Sequence, residues 1–337
     1  AFDAGNNAPL PNALLAIPAI LLESVAGECS VTLSAPAGRI AQTAAEWPHW
    51  LAAPAITSTP QQRPSRPETL IERAWIGRVN AALRDIEAGR VDKVVLARSR
   101  TIEADDPFPA AAVLGQLLVQ QPASVVYAYG DGEHSFVGAT PERLVRLAGN
   151  RADADALAGT SWPGSLALSE TKNRHEQALV VQAVCAALAP FSDSPPIAEP
   201  AREHAAGQLR HLRSRISATV RPGTTLFDLV RALHPTPAIG GFPVAAAQAW
   251  LAEHHEQRSG WYSGGFGLLT PDGDGEFSVA LRSALLAGNT VEVQAGAGIV
   301  AGSDAQHELA ETNAKLGTVL AALAPPVAPE SGDSLRA

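Results

Sequence analysis

Apolar positions recur at helical spacing over Thr69–Gly89, where Ile71, Trp75, Val79, Leu83 and Ile86 share one face and Gly89 closes the run. Ser169–Leu188 and Glu203–Val220 carry two further amphipathic patterns, the second stopped by Arg221-Pro222-Gly223. Shorter helices are predicted at Ala110–Gln121, Leu226–Leu233 and Val244–His254, and a last one at Ser303–Leu323, where Ser303 and Gln306 form a capping-box pair. Between them lie β-branched or alternating stretches. Val91–Arg100 reads as a strand. Ser124–Tyr129 and Ser135–Ala139 read as two, joined by the turn Gly130-Asp131-Gly132. Arg143–Leu147 and Ala152–Ala158 are short strands, and Trp261–Leu269, Gly275–Ala287 and Thr290–Ala297 an antiparallel meander. Strands clustered in mixed order with helices between them predict an α+β fold.

Patterning is weak at both ends. Residues 1–68 are rich in Ala and Pro and are expected to form irregular strands and loops packed on the main body, with 58–67 (STPQQRPSRP) as a linker. Residues 69–324 form the expected catalytic body. The Pro- and Ser-rich stretch 325–337 is expected to be disordered.

Composition narrows the choice of partner. With 25 basic and 34 acidic residues the formal charge is −9, which disfavours a nucleic acid or a membrane surface. An anionic small molecule stays possible, because a divalent cation and a few placed Arg or Lys residues reverse the local field. Cys29 and Cys185 are too few for a disulfide framework and fit a reducing cytoplasm, with Cys185 expected as a buried free thiol. The apolar stretch Leu10–Leu22 is broken by prolines and lacks the basic flank of a signal peptide. No heptad seam is visible, so a monomer is the default expectation.

Several residues have two readings from sequence. Glu308, Glu311 and Lys315, at i, i+3 and i+7, share a helix face that is either a solvated stripe or a ligand site. The glycines of Ala295-Gly296-Ala297-Gly298-Ile299-Val300 just upstream favour the second, since they let a ligand approach the backbone. Glu176 is either a surface carboxylate or, with Glu311, an oxygen donor to Mg²⁺. Lys93 is either outward-facing or an amine held in a dry pocket and able to act as a base. Glu142, after Pro141, is a turn carboxylate or an acid. Arg282, in an otherwise apolar stretch, either snorkels or is buried against an anion. The loop His234–Gly241, rigid and glycine-ended, suits a ligand-facing turn.

Taken in order, Lys93–Arg98, Phe136–Leu144, Leu157–Thr160, Lys172–Glu176, His211-Leu212, His234–Pro243, Trp261–Gly265, Leu281–Ala284, Ala295–Val300 and Glu308–Lys315 resemble the chorismate-utilising enzymes over about residues 69–323. The resemblance implies a large two-lobed domain of extended, mostly antiparallel sheets flanked by helices. It implies Mg²⁺ carboxylates at Glu176 and Glu311, with Glu308 as an auxiliary or water-mediated partner. Tyr262, Arg282, Gly296, Gly298 and Lys315 would grip the substrate carboxylates, and Gly159, Thr160 and His211 would form pocket wall. Lys93 would be the general base and Glu142 the general acid of an isochorismate synthase. Lys93 is absent from the anthranilate synthases, and Ala238 stands where salicylate synthases tend to carry Thr. A salicylate synthase and a non-catalytic chorismate-binding homologue are the alternatives. Two departures stand out: the stretch from Thr160 to Lys172 is short, and Gln177 replaces a common His.

Overall fold

The computed structural model describes residues 10–324 apart from positions 12, 26–27, 37, 52–59, 61, 63–68 and 166. The expected disordered stretch 325–337 lies outside the described residues, as does the linker except for Pro60 and Gln62. Contacts divide the chain into two compact units, one of them Pro11–Thr57. It holds an antiparallel hairpin, β1 (Ile20–Val25) with β2 (Glu28–Leu33), and a helix α1 (Ile40–Leu51). The helix departs from the expectation of strands and loops alone.

The larger unit contains two sheets, and every strand pairing in them is antiparallel. One has six strands in the order β11 (Gly241–Phe242), β3 (Lys93–Glu103), β15 (Thr290–Val300), β14 (Ser283–Ala287), β5 (His134–Thr140) and β4 (Val125–Gly130). The other runs β12 (Gly265–Leu269), β13 (Gly275–Val279), β6 (Arg143–Ala148), β7 (Arg151–Ser161), β10 (Leu209–Thr219) and β8 (Ile197–Ala198), with β9 (Arg202–Ala206) also paired to β10. Each sheet buries its apolar face under helices. Val180, Val184 and Leu188 of α4 (Thr171–Leu188) and Leu226, Leu229 and Leu233 of α5 (Leu226–Leu233) pack with Ala154, Ala156 and Ile216 of the seven-stranded sheet. Val113 and Leu117 of α3 (Ala110–Gln120) and Leu316 and Val319 of α7 (Ala305–Leu323) pack with Val291, Val293 and Val137 of the other. Trp75 and Val79 of α2 (Thr69–Glu87) and Trp250 of α6 (Val244–Glu253) join Val94, Leu96 and Ile299 in a third cluster.

Three local expectations change. Glu203–Val220 is not a helix but the hairpin β9–β10. Leu212, Ser214, Ile216 and Ala218 point inward and Arg213, Arg215 and Ser217 outward, a period of two that small and polar inward residues disguise. The capping box at Ser303 gives way to Asp304, whose side chain accepts from the Gln306 and His307 amides. The third change concerns Gly275–Ala287, which is two strands in different sheets. The chain leaves β13, turns through Arg282 at φ 51°, and enters β14 across the molecule. A matching crossover joins β5 to β6 through Pro141-Glu142. The two are tied together: the Val279 amide donates to the Glu142 carbonyl at 3.0 Å and the Ala139 amide to the Arg282 carbonyl at 3.2 Å. Both crossovers therefore deliver a charged side chain to the junction between the sheets.

Candidate active site

Of the fourteen candidate residues, eleven line one cavity: Glu142, Gly159, Thr160, Glu176, His211, Ala238, Tyr262, Arg282, Gly296, Gly298 and Lys315. The other three, Lys93, Glu308 and Glu311, are buried beside it. Lys93 at the start of β3 is fully buried, and its Nζ donates to Glu176 Oε1 at 2.9 Å, from the first half of α4. The Gly159 amide donates to the other oxygen of Glu176 at 3.2 Å. Gly298, on the neighbouring strand, makes this pairing possible. A Cβ there would stand 2.7 Å from Lys93 Cε and would collide with Glu176 Oε1.

Glu142 is buried and its pKa is pushed up to about 7 by burial, which outweighs the opposing pull of Lys93 and Arg282. Arg282 Nη2 approaches His211 Nε2 at 3.1 Å, and His211 Nδ1 lies 3.0 Å from the Gly159 carbonyl. A guanidinium can only donate, so His211 is neutral with its proton on Nδ1, donated to that carbonyl. Burial, reinforced by Arg282 and Lys315, pushes the His211 pKa down to about 3 and keeps it in that form. Arg282 Nε is buried with no hydrogen-bond partner among the described residues. An orphaned guanidinium nitrogen in a cavity is a ready donor to an anionic ligand. Tyr262 is buried nearby, and burial raises its pKa. Ala238 and Ile239 form one wall; Arg258 fixes that loop by donating to the Ile239 carbonyl at 2.8 Å.

The carboxylates of α7 extend the site. Lys315 Nζ donates to Glu311 Oε1 at 2.6 Å and to the Gly296 carbonyl at 2.9 Å. Although burial opposes it, Lys315 and Lys172 hold Glu311 down to about 2. Glu308 has no exposed surface and is pushed up to about 7 by burial and by Glu311. Both Glu308 oxygens and Glu311 Oε2 are buried, and Lys172 Nζ stands 3.0 Å from Glu308 Oε1 and 3.7 Å from Glu311 Oε2, one amine facing several carboxylate oxygens. Oxygens left in this state are what a hard divalent cation satisfies. Glu176, Glu308 and Glu311 could hold one, with His307 beside the latter two.

Sequence reasoning gave no role to Lys172, His307 or Trp162. Lys172 precedes Glu176 by one helical turn, a signal that was available. His307 adjoins Glu308 and lies against the Trp162 ring, with centroids 5.1 Å apart. It also precedes Glu311 by four residues, so helical spacing already offered the pairing. Gln177, the departure noted above, is buried and donates to the Ala156 carbonyl at 3.0 Å and to Ser214 Oγ at 3.2 Å. It pins α4 to the sheet behind the site. Cys185 is half-buried, and both cysteines are free thiols.

Paired antiparallel sheets, crossovers that carry an acid and a guanidinium inward, and buried carboxylates interleaved with amines together build one enclosed, strongly charged cavity. The family model for chorismate binding enzymes matches residues 2–324. The chain belongs to that family. It is 38% identical over 261 residues to the salicylate biosynthesis isochorismate synthase of Pseudomonas aeruginosa, covering 74% of this chain and 55% of that protein. It is 33% identical over 266 residues to the isochorismate synthase MenF of Bacillus subtilis, covering 76% and 56%. The solved structure of MenF, the menaquinone-specific isochorismate synthase from Escherichia coli, superposes with a TM-score of 0.78 at 27% identity, covering 91% of this chain and 75% of that one. The chain thus spans little more than half the length of the first two relatives.

Proposed function

We propose that this chain converts chorismate to isochorismate with the help of Mg²⁺. The carrying observation is one buried cavity that gathers a carboxyl retaining its proton to about pH 7 (Glu142), a guanidinium with an unused donor (Arg282) and the Lys93 amine at its margin. Water attacks ring carbon C2 as Lys93 takes its proton. Glu142 protonates the C4 hydroxyl, which leaves as water, and the ring double bonds shift. Water added equals water lost, so the reaction is an isomerisation, and it needs one base and one acid. Arg282, Tyr262, Lys315 and the backbone at Gly296 and Gly298 hold the substrate carboxylates. Gly159, Thr160, His211 and Ala238 form the wall. Glu176 and Glu311 would hold the Mg²⁺, with Glu308 beside them, and the ion would offset the charge of the ring carboxylate. The test is product analysis of chorismate incubated with the protein in Mg²⁺ and in EDTA. Isochorismate formed only with Mg²⁺ is expected. Salicylate with pyruvate would move the activity to a salicylate synthase, and no product in either condition would overturn the enzymatic reading.

A further inference from the structure

Lys172 lies one turn before Glu176 on α4, and its ammonium stands among the three candidate metal carboxylates. Its Nζ is 3.0 Å from Glu308 Oε1, 3.7 Å from Glu311 Oε2 and 4.0 Å from Glu176 Oε2. The side chain is largely buried, and its closest contact is with Glu308. An ammonium within 4.0 Å of three carboxylates is a compact positive charge among oxygens, the same kind of surroundings a divalent cation takes. The three carboxylates come from two helices that pack on different sheets, α4 against β7 and α7 against β15. A single amine therefore offsets charge from both halves of the site.

We propose that Lys172 is a built-in competitor for the divalent cation: its ammonium and the cation draw on the same oxygens, and metal enters only as Lys172 withdraws. This rests on the reading of Glu176, Glu308 and Glu311 as the metal carboxylates. Two like-signed charges cannot share a low-dielectric cluster a few ångströms across, because their repulsion there is far stronger than in water. The competition lowers metal affinity, and it keeps the carboxylates from repelling one another when no metal is bound. It makes Lys172 a positioning residue rather than a catalytic one, since it acts through the carboxylates.

The test compares Lys172→Met, similar in length but uncharged, with the wild-type chain and with Lys172→Arg, which keeps the charge. Mg²⁺ alone is titrated by calorimetry, and Mn²⁺ is followed by the loss of its free-ion electron-spin signal. Lys172→Met is expected to bind Mg²⁺ at least about tenfold more tightly than wild type, and Lys172→Arg no more tightly. In EDTA, Lys172→Met is expected to melt below wild type, and saturating Mg²⁺ to close that gap. A purely structural lysine would lower the melting temperature without tightening metal binding. Should Lys172→Met fold poorly, Lys172→Gln serves for the same comparison. Mg²⁺ affinity that is unchanged or weaker in the neutral variants, yet lost in Glu311→Gln, overturns the competition alone. No Mg²⁺ binding in any of them overturns the metal reading and the competition with it.

Discussion

Lys93 and Glu142, the proposed base and acid, differ in what surrounds them. Lys93 is bonded to Glu176, whereas Glu142 is governed first by its burial, with Lys93 and Arg282 opposing it. Lys93→Gln keeps a donor toward Glu176 but removes the basic amine. It is expected to lower kcat by about 10²–10⁴-fold while Mg²⁺-dependent chorismate binding persists, as measured by initial rates and calorimetry. Normal turnover in that variant would refute the base assignment. For Glu142 the expectation concerns pH. A general acid works only while protonated, and burial holds this carboxyl at about 7. kcat/KM should therefore fall as pH rises above about 7, approaching tenfold per unit, and a profile flat to about pH 9 would count against Glu142. Neither role was legible from local sequence. A lysine in a β-branched strand and a glutamate after a proline are ordinary surface residues until a second sheet covers them.

Strand β15 is the element whose small residues matter most. Its glycines leave room for groups from three other elements: Tyr262 stands against Gly296, and Lys93 and Glu176 against Gly298. Gly298→Ala is expected to displace the Lys93–Glu176 pair and to cost about 1–3 kcal/mol of stability, with a larger proportional loss of activity. Thermal melting alongside kcat measurements checks this, and a variant with full activity would show that the pair is not needed in its observed place. Helix α7 was readable in advance, since i, i+3 and i+7 put Glu308, Glu311 and Lys315 on one face. The face proved to be buried at the junction rather than solvated. Strand β10 was not readable, because arginines alternating with small residues also suit a helix surface. Its pairing with β7 along ten residues, Arg210 to Thr219, decided the matter.

At the scale of the whole molecule, the site exists because two sheets meet and two crossovers pass between them. Metal binding belongs to this scale, since its candidate carboxylates come from α4 and α7. Mg²⁺ should raise the melting temperature of the wild-type chain, because a ligand bound only by the folded state stabilises it. Glu311→Ala should abolish that shift, and a retained shift would remove Glu311 from the ligand set. Among the described residues no helix is long and apolar enough to cross a membrane. The sequence by itself determined the period of most elements, the shared face of the α7 charges and the ordered motifs that mark the family, because helical and strand periods are local properties of the chain. Only the tertiary structure decided that Lys93 meets Glu176 from 83 residues away, that Arg282 and Glu142 sit on crossovers instead of within a strand or a surface turn, that His211 is neutral, and that Lys172 stands among three carboxylates. Each of those depends on which surfaces the two packed sheets bring together and seal from water, and contacts across such distances have no signature in local spacing.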